Sequence, residues 1–145
     1  MSDEKMDVII VGGGISGLTA GYLLAKKGLD VLLIERGNYC GSKNVTGGRI
    51  YSYNLEKILP EFIEEAPWER KILREKVSLM TEDSSAGLDF YSGKLDLERG
   101  SSYSVLRAQF DQWLQEKAED AGVQIVTGIR VDDLLMEDGY ACGVI

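Results

Sequence analysis

Histidine is missing from all 145 residues, and cysteine and proline occur only twice each. Without histidine this sequence holds no Ser-His or Cys-His nucleophile pair and no histidine-bound zinc or iron. Cys40 and Cys142 stand far apart, without C-x-x-C spacing, so they make neither a metal nor a cluster site. No apolar run approaches the roughly 20 residues that span a bilayer as a helix. The start, Ser2-Asp3-Glu4-Lys5, is polar and net acidic, unlike a secretory leader. A cytoplasmic protein without structural disulfides is therefore expected, and the Asn44-Val45-Thr46 triplet is discounted as a glycosylation acceptor. Positive charge is short as well: 24 acids against 16 bases give a formal charge of −8, which argues against a nucleic-acid partner. The acids are scattered and read as a solvated surface. Chemistry must come from a cofactor or from residues beyond this sequence.

What is present is a dinucleotide fingerprint. Asp7-Val-Ile-Ile-Val-Gly-Gly-Gly-Ile-Ser-Gly17 joins a β-branched strand to G-x-G-x-x-G and a helix start. Gly12 lets the chain leave the strand in a tight turn. Gly14, lacking Cβ, admits a pyrophosphate close to the backbone, and Gly17 lets the helix pack on the strand. Ile15 and Ser16 open that helix, so the phosphates meet free N–H groups and the positive end of its dipole. Leu18, Tyr22 and Ala25 continue at a helical period, and Lys26-Lys27-Gly28 stops the helix. Asp30 to Glu35 is a second apolar strand ending in an acid, near the expected spacing of about 20 residues from the glycines. An acid there suits free ribose hydroxyls, hence FAD or NAD(H) rather than NADP(H). The pattern leaves those two open.

After Glu35 the rhythm changes. Arg36 to Tyr53 reads as a long glycine-bearing loop, and such loops tend to be functional. Asn54 to Phe62 reads as a short helix capped by Asn54 and interrupted at Pro60. Pro67-Trp68-Glu69-Arg70 reads as another helical turn. Strands follow at Lys76–Glu82, Leu88–Ser92 and Ser102–Leu106, with turns at Asp83-Ser84-Ser85 and Glu98-Arg99-Gly100. Ala108 to Ala121 is a helix with Phe110, Trp113, Leu114 and Ala118 along one face, and Val123–Val126 is a buried third parallel strand. Arg130–Met136 and Tyr140–Ile145 form a hairpin turning at Glu137-Asp138-Gly139. The fold class is α/β: a Rossmann-like βαβ parallel sheet with an antiparallel β insertion. Three stretches are expected: 1–67 and 107–145 in the nucleotide-binding domain, and 68–106 as the insertion. The sequence closes in mid-strand, as expected of the N-terminal part of a longer protein.

Three blocks carry a resemblance that spans essentially the whole chain: the fingerprint through Glu35-Arg36-Gly37, the Gly41-Ser42-Lys43-Asn44-Val45-Thr46-Gly47-Gly48 segment, and Arg107-Ala108-Gln109-Phe110-Asp111-Gln112-Trp113-Leu114. In these the chain resembles the FixC-like flavoprotein dehydrogenases, relatives of electron-transfer flavoprotein–quinone oxidoreductase within the geranylgeranyl-reductase-like FAD superfamily. The resemblance implies FAD as the cofactor. Gly12, Gly14 and Gly17 would hold its pyrophosphate, Glu35 the adenosine ribose, and Arg36 would lie along the adenine. Gly47 and Gly48 would pass close to the flavin or ribityl chain, Arg107 would reach the cofactor from its helix start, and Val131 would offer backbone groups to adenine. A cation at a helix N-terminus opposes the dipole, which fits a ligand role for Arg107; a surface ion pair with Asp111 is the alternative. The implied activity is electron transfer between an electron-transfer flavoprotein and a quinone or ferredoxin-like partner, with peripheral membrane contact open to the full-length protein. Two other readings stand beside it: a prenyl-lipid double-bond reductase, and a non-catalytic nucleotide-binding fragment. Prenyl reductases carry Cys-Gly-Gly where this chain has Thr46-Gly47-Gly48, which counts against the first. Cys40 is read as a passive loop residue, and Trp68 and Trp113 as core and sheet residues.

Overall fold

The computed structural model describes residues 5–96 and 100–145. Strand β1 (Val8–Val11), helix α1 (Ile15–Ala25) and strand β2 (Val31–Glu35) form the βαβ unit, with β1 and β2 parallel from Val8↔Val31 to Val11↔Ile34. Helix α1 stops where the glycine signal places the stop. Gly28 takes φ +83° and donates its N–H to the Ala25 carbonyl, while Leu29 N–H bonds to Leu24.

The chain divides into two units, Met1–Thr46 with Arg107–Ile145, and Gly47–Leu106. In the first, helix α4 (Arg107–Asp120) leads into β8 (Gln124–Thr127), which pairs in parallel with β2 and gives the order β1-β2-β8. Leu18 and Tyr22 of α1, Phe110, Leu114 and Ala118 of α4, and Val31, Leu33 and Val123 are buried together as the core of this unit. The other sheet face is barer: Ile9 is 36% and Val11 57% exposed. β1, expected from its composition to be buried on both faces, is covered on one only. Strands β9 (Leu134–Glu137) and β10 (Tyr140–Val144) form the expected hairpin, and Asp138 and Gly139 both take positive φ at its turn.

The second unit begins earlier than the 67/68 boundary read from sequence. Gly47–Tyr51 is not loop but strand β3, paired antiparallel with β7 (Ser102–Leu106). β7 also pairs with β4 (Trp68–Lys71), which replaces the helical turn expected at Pro67–Arg70. Two short helices, α2 (Ser52–Leu55) and α3 (Phe62–Glu65), stand where one helix from Asn54 was expected. Asn54 lies inside α2 and caps nothing; Ser52 instead ties to the Ser101 carbonyl through its N–H and its hydroxyl at 2.9 and 2.8 Å. Leu59, Phe62, Tyr103 and Val105 are buried, and Tyr103 meets the Phe62 ring edge-on at 5.8 Å. Strands β5 (Arg74–Met80) and β6 (Ser85–Tyr91) form a separate two-stranded ribbon. The turn expected at Glu98-Arg99-Gly100 lies, except for Gly100, outside the described residues. Among the described residues no helix is long and apolar enough to cross a membrane.

Candidate dinucleotide site

β1 ends in a turn that only glycine adopts easily. Gly12 takes φ +105° and donates its N–H to the Ile34 carbonyl at 2.8 Å, tying the turn to β2. Gly14 then precedes α1 in extended conformation (φ −84°, ψ 176°), and no side chain caps the helix. The first turn also contains no acid. Its early N–H groups have no intrahelical acceptor, and Gly14, the residue before them, lines a cleft of ≈ 210 Å³ together with Gly13, Glu35, Arg36, Gly41, Lys43, Asn44 and Arg107, while Ile15, Ser16 and Gly17 are not among its lining residues. A Cβ placed on Gly14 would meet no atom within 4 Å. That glycine is therefore not required by packing, and its bareness serves whatever enters the cleft. Gly17 is the opposite case. A Cβ there would overlap the Gly12 carbonyl oxygen, so Gly17 is what lets α1 lie against the turn.

Glu35 at the end of β2 is held by two backbone donors. Gly13 N–H reaches one carboxylate oxygen at 2.8 Å and Gly37 N–H the other at 2.6 Å. Each oxygen keeps lone-pair capacity for a further donor, the arrangement two adjacent ribose hydroxyls need. A second depression of ≈ 260 Å³ shares Glu35 and Arg36 with the cleft and adds Val11, Gly12, Ile34, Ile129, Arg130 and Val131. Val131 thus lies beside the acid, and its N–H and C=O make no hydrogen bond among the described residues.

Arg107 opens α4, and its partner Asp111 is buried, so the pair is not the surface ion pair read as the alternative from sequence. Arg107 lines the cleft, and it also pairs with Asp111 through Nε and Nη2, each at 3.0 Å. The bonded carboxylate raises the guanidinium pKa above its ordinary value. Gly47 and Gly48 do not line this cleft; they open β3 in the other unit, where a Cβ on Gly47 would come 2.9 Å from the Val105 carbonyl oxygen. Packing against β7 accounts for that glycine.

Sequence reasoning missed Gly13, Lys43, Asn44 and the burial of Asp111. A Cβ on Gly13 would overlap the Cys40 sulfur. Lys43 and Asn44 sit inside the Gly41–Gly48 block, the one signal that pointed to them. Cys40 itself is fully buried. Its thiol is pushed up to about 12 by burial, with the charges of Glu35, Glu119 and Asp111 adding to the effect. A thiol at that pKa is almost wholly protonated and unreactive at neutral pH. Brief alkylation of the native protein followed by peptide mass analysis is expected to label exposed Cys142 and spare Cys40; labelling of both at equal rates would contradict this packing.

Residues 7–111 match the family model of FAD dependent oxidoreductases. The chain belongs to this family. It is 52% identical over 144 residues to Protein FixC of Escherichia coli O157:H7, covering 99% of this chain and 34% of that protein. It is 50% identical, with the same coverage, to the probable electron transfer flavoprotein-quinone oxidoreductase YdiS of Escherichia coli K12. Among solved structures, a geranylgeranyl bacteriochlorophyll reductase-like protein from Thermoplasma acidophilum shares the fold with a TM-score of 0.77 at 24% identity, over 97% of this chain and 34% of that one. The myxobacterial halogenase CndH, described as a variant of FAD-dependent halogenases, gives 0.75 at 25% identity, over 97% and 32%. The chain spans about a third of the length of the curated relatives it matches. The bare Gly14, the uncapped helix and the cations Arg36, Lys43 and Arg107 fit the family's cofactor, FAD.

Proposed function

We propose that the full-length protein is an FAD-dependent oxidoreductase. It passes electrons between an electron-transfer flavoprotein and a quinone or ferredoxin-like acceptor. One observation carries the reading: an open, cation-lined cleft at the uncapped α1 N-terminus, beside an acid anchored at the end of β2. It stands in a chain 50% identical, over 99% of its length, to a protein named a probable electron transfer flavoprotein-quinone oxidoreductase. FAD supplies the redox chemistry when bound, and the protein supplies binding, orientation and electrostatics.

Each residue's part follows from its position. Gly12 sets the turn, and Gly14 with the backbone of Ile15, Ser16 and Gly17 receives the pyrophosphate on the helix N-terminus. Lys43 and Arg107 add positive charge beside those phosphates. Glu35 accepts the ribose hydroxyls, while Arg36 and the Val131 backbone flank the adenosine. The roles of Gly47 and Gly48 beside the flavin rest on the resemblance alone. No side chain named here acts as an acid or base, which suits a histidine-free sequence.

Anaerobic mixing of reduced electron-transfer flavoprotein with the oxidised full-length protein tests the partner. Bleaching of this protein's flavin band, in proportion to the donor added, is expected. No exchange with that donor, together with reduction of a prenyl-lipid double bond, would replace this reading with the reductase one despite Thr46.

A further inference from the structure

Among the described residues, Asp111 is the sole charged side chain in the buried set, with 0% of its surface exposed. It lies on the inward face of α4 beside Phe110 and Leu114, where an apolar residue would pack at lower cost. A buried carboxylate is tolerated only when its lone pairs are met, and here three donors meet them. Arg107 donates from Nε and Nη2, and Asn44 Nδ2 donates at 2.6 Å. The loop comes close enough because Gly41 takes φ +87° and has no Cβ; one there would lie 2.7 Å from the Asp111 Cβ. Asn44 N–H closes a turn on the Gly41 carbonyl at 2.9 Å, and Arg107 N–H bonds to the Thr46 carbonyl at 3.3 Å.

Gly41, Asn44 and Arg107 all line the nucleotide cleft, and Asp111 does not. The acid therefore stands behind the wall and joins two parts of it that are distant in sequence. Two of the five guanidinium N–H groups are used on Asp111, which leaves three for an anion in the cleft.

We propose that Asp111 is a positioning residue for the nucleotide: through Arg107 and Asn44 it fixes the guanidinium and the Gly41–Asn44 turn as one rigid wall against the phosphate groups of the dinucleotide. It touches no ligand itself. The inference rests on the FAD reading above and adds the device that pre-organises the site. A guanidinium held in place before binding loses less side-chain freedom when the phosphate arrives.

The experiment uses full-length apoprotein and measures FAD affinity by quenching of flavin fluorescence, alongside resistance to denaturant. Asp111→Asn, nearly isosteric, is expected to weaken FAD binding about tenfold, the worth of one charge-assisted hydrogen bond. In an Arg107→Ala background the same change is expected to cost clearly less, because only the Gly41–Asn44 turn is left to position. A double variant, Arg107→Met with Asp111→Leu, replaces the pair by apolar groups of similar size and guards against mere misfolding. It is expected to keep the parent's resistance to denaturant while FAD affinity stays weak. Recovery of FAD affinity by that apolar pair would overturn the proposal and make Asp111 only structural. An equal cost of Asp111→Asn with and without Arg107 would overturn it too. If the parent protein binds no FAD, the cofactor reading falls and this inference falls with it.

Discussion

Replacing Gly14 by alanine is expected to cost about a hundredfold in FAD affinity while the fold stands, a loss equal to two charge-assisted hydrogen bonds at about 1.5 kcal/mol each. The Gly14 backbone, at φ −84° and ψ 176°, is ordinary extended chain that alanine adopts without strain. A new methyl there would touch nothing in the protein. It would stand in the cleft in front of the α1 N-terminus, where the phosphates must approach the N–H groups. Resistance to denaturant should be nearly unchanged, since restricting the unfolded chain is worth about 0.4–1 kcal/mol and alanine's poorer fit at the N-cap position that Gly14 occupies offsets it. Paired titrations with FAD and with urea on the full-length protein check both halves. A variant that unfolds, or one that binds FAD like the parent, would contradict this account of the cleft.

Gly17→Ala should do the reverse and strike the fold first. Its methyl would overlap the Gly12 carbonyl oxygen and approach Ile10 Cγ2 at 3.3 Å. Backbone cannot rotate away as a side-chain tip can, so α1 must lift from the turn. Overpacking costs up to about 3 kcal/mol, whereas alanine's better helix propensity returns about 1 kcal/mol. The clash wins by about 2 kcal/mol. The expected result is a lower denaturation midpoint together with weakened FAD binding, because the helix N-terminus is displaced. Equal stability in urea would show that α1 has room the structure does not display.

The contrast between these two glycines marks what was legible in the sequence. Gly12, Gly14 and Gly17 were readable because each meets a local requirement: a positive φ, an open approach, a close packing distance. The βαβ unit and the stop at Gly28 were readable for the same reason, since periodicity and helix-stop signals act over a few residues. β3 was not. Gly47-Gly48-Arg49-Ile50-Tyr51 has weak strand character, and it becomes a strand because β7, far along the chain, lies ready to pair with it. Trp68–Lys71 is drawn out straight by the other side of the same strand.

The site divides in the same way. Arg107 and Asp111 are four residues apart on one helix, so their pairing could be anticipated. The bond from Asn44 to Asp111 spans 67 positions, and no local pattern announces it. Nor did composition suggest that an aspartate would be buried on a face otherwise marked by Phe110, Leu114 and Ala118. Its burial makes sense only once the loop after β2 has folded back onto α4, where the Cys40 N–H also bonds to Gln115 Oε1 at 3.0 Å.

The claim at the centre of this account is that the cleft at the α1 N-terminus holds FAD. Its most direct test is the visible absorption spectrum of the purified full-length protein and of its Gly14→Ala variant, with the nucleotide released on denaturation identified in each. The account expects flavin bands and released FAD from the parent, and a folded variant that carries clearly less flavin per protein. A parent that stays colourless after FAD is added, or a variant as yellow as the parent, would contradict it.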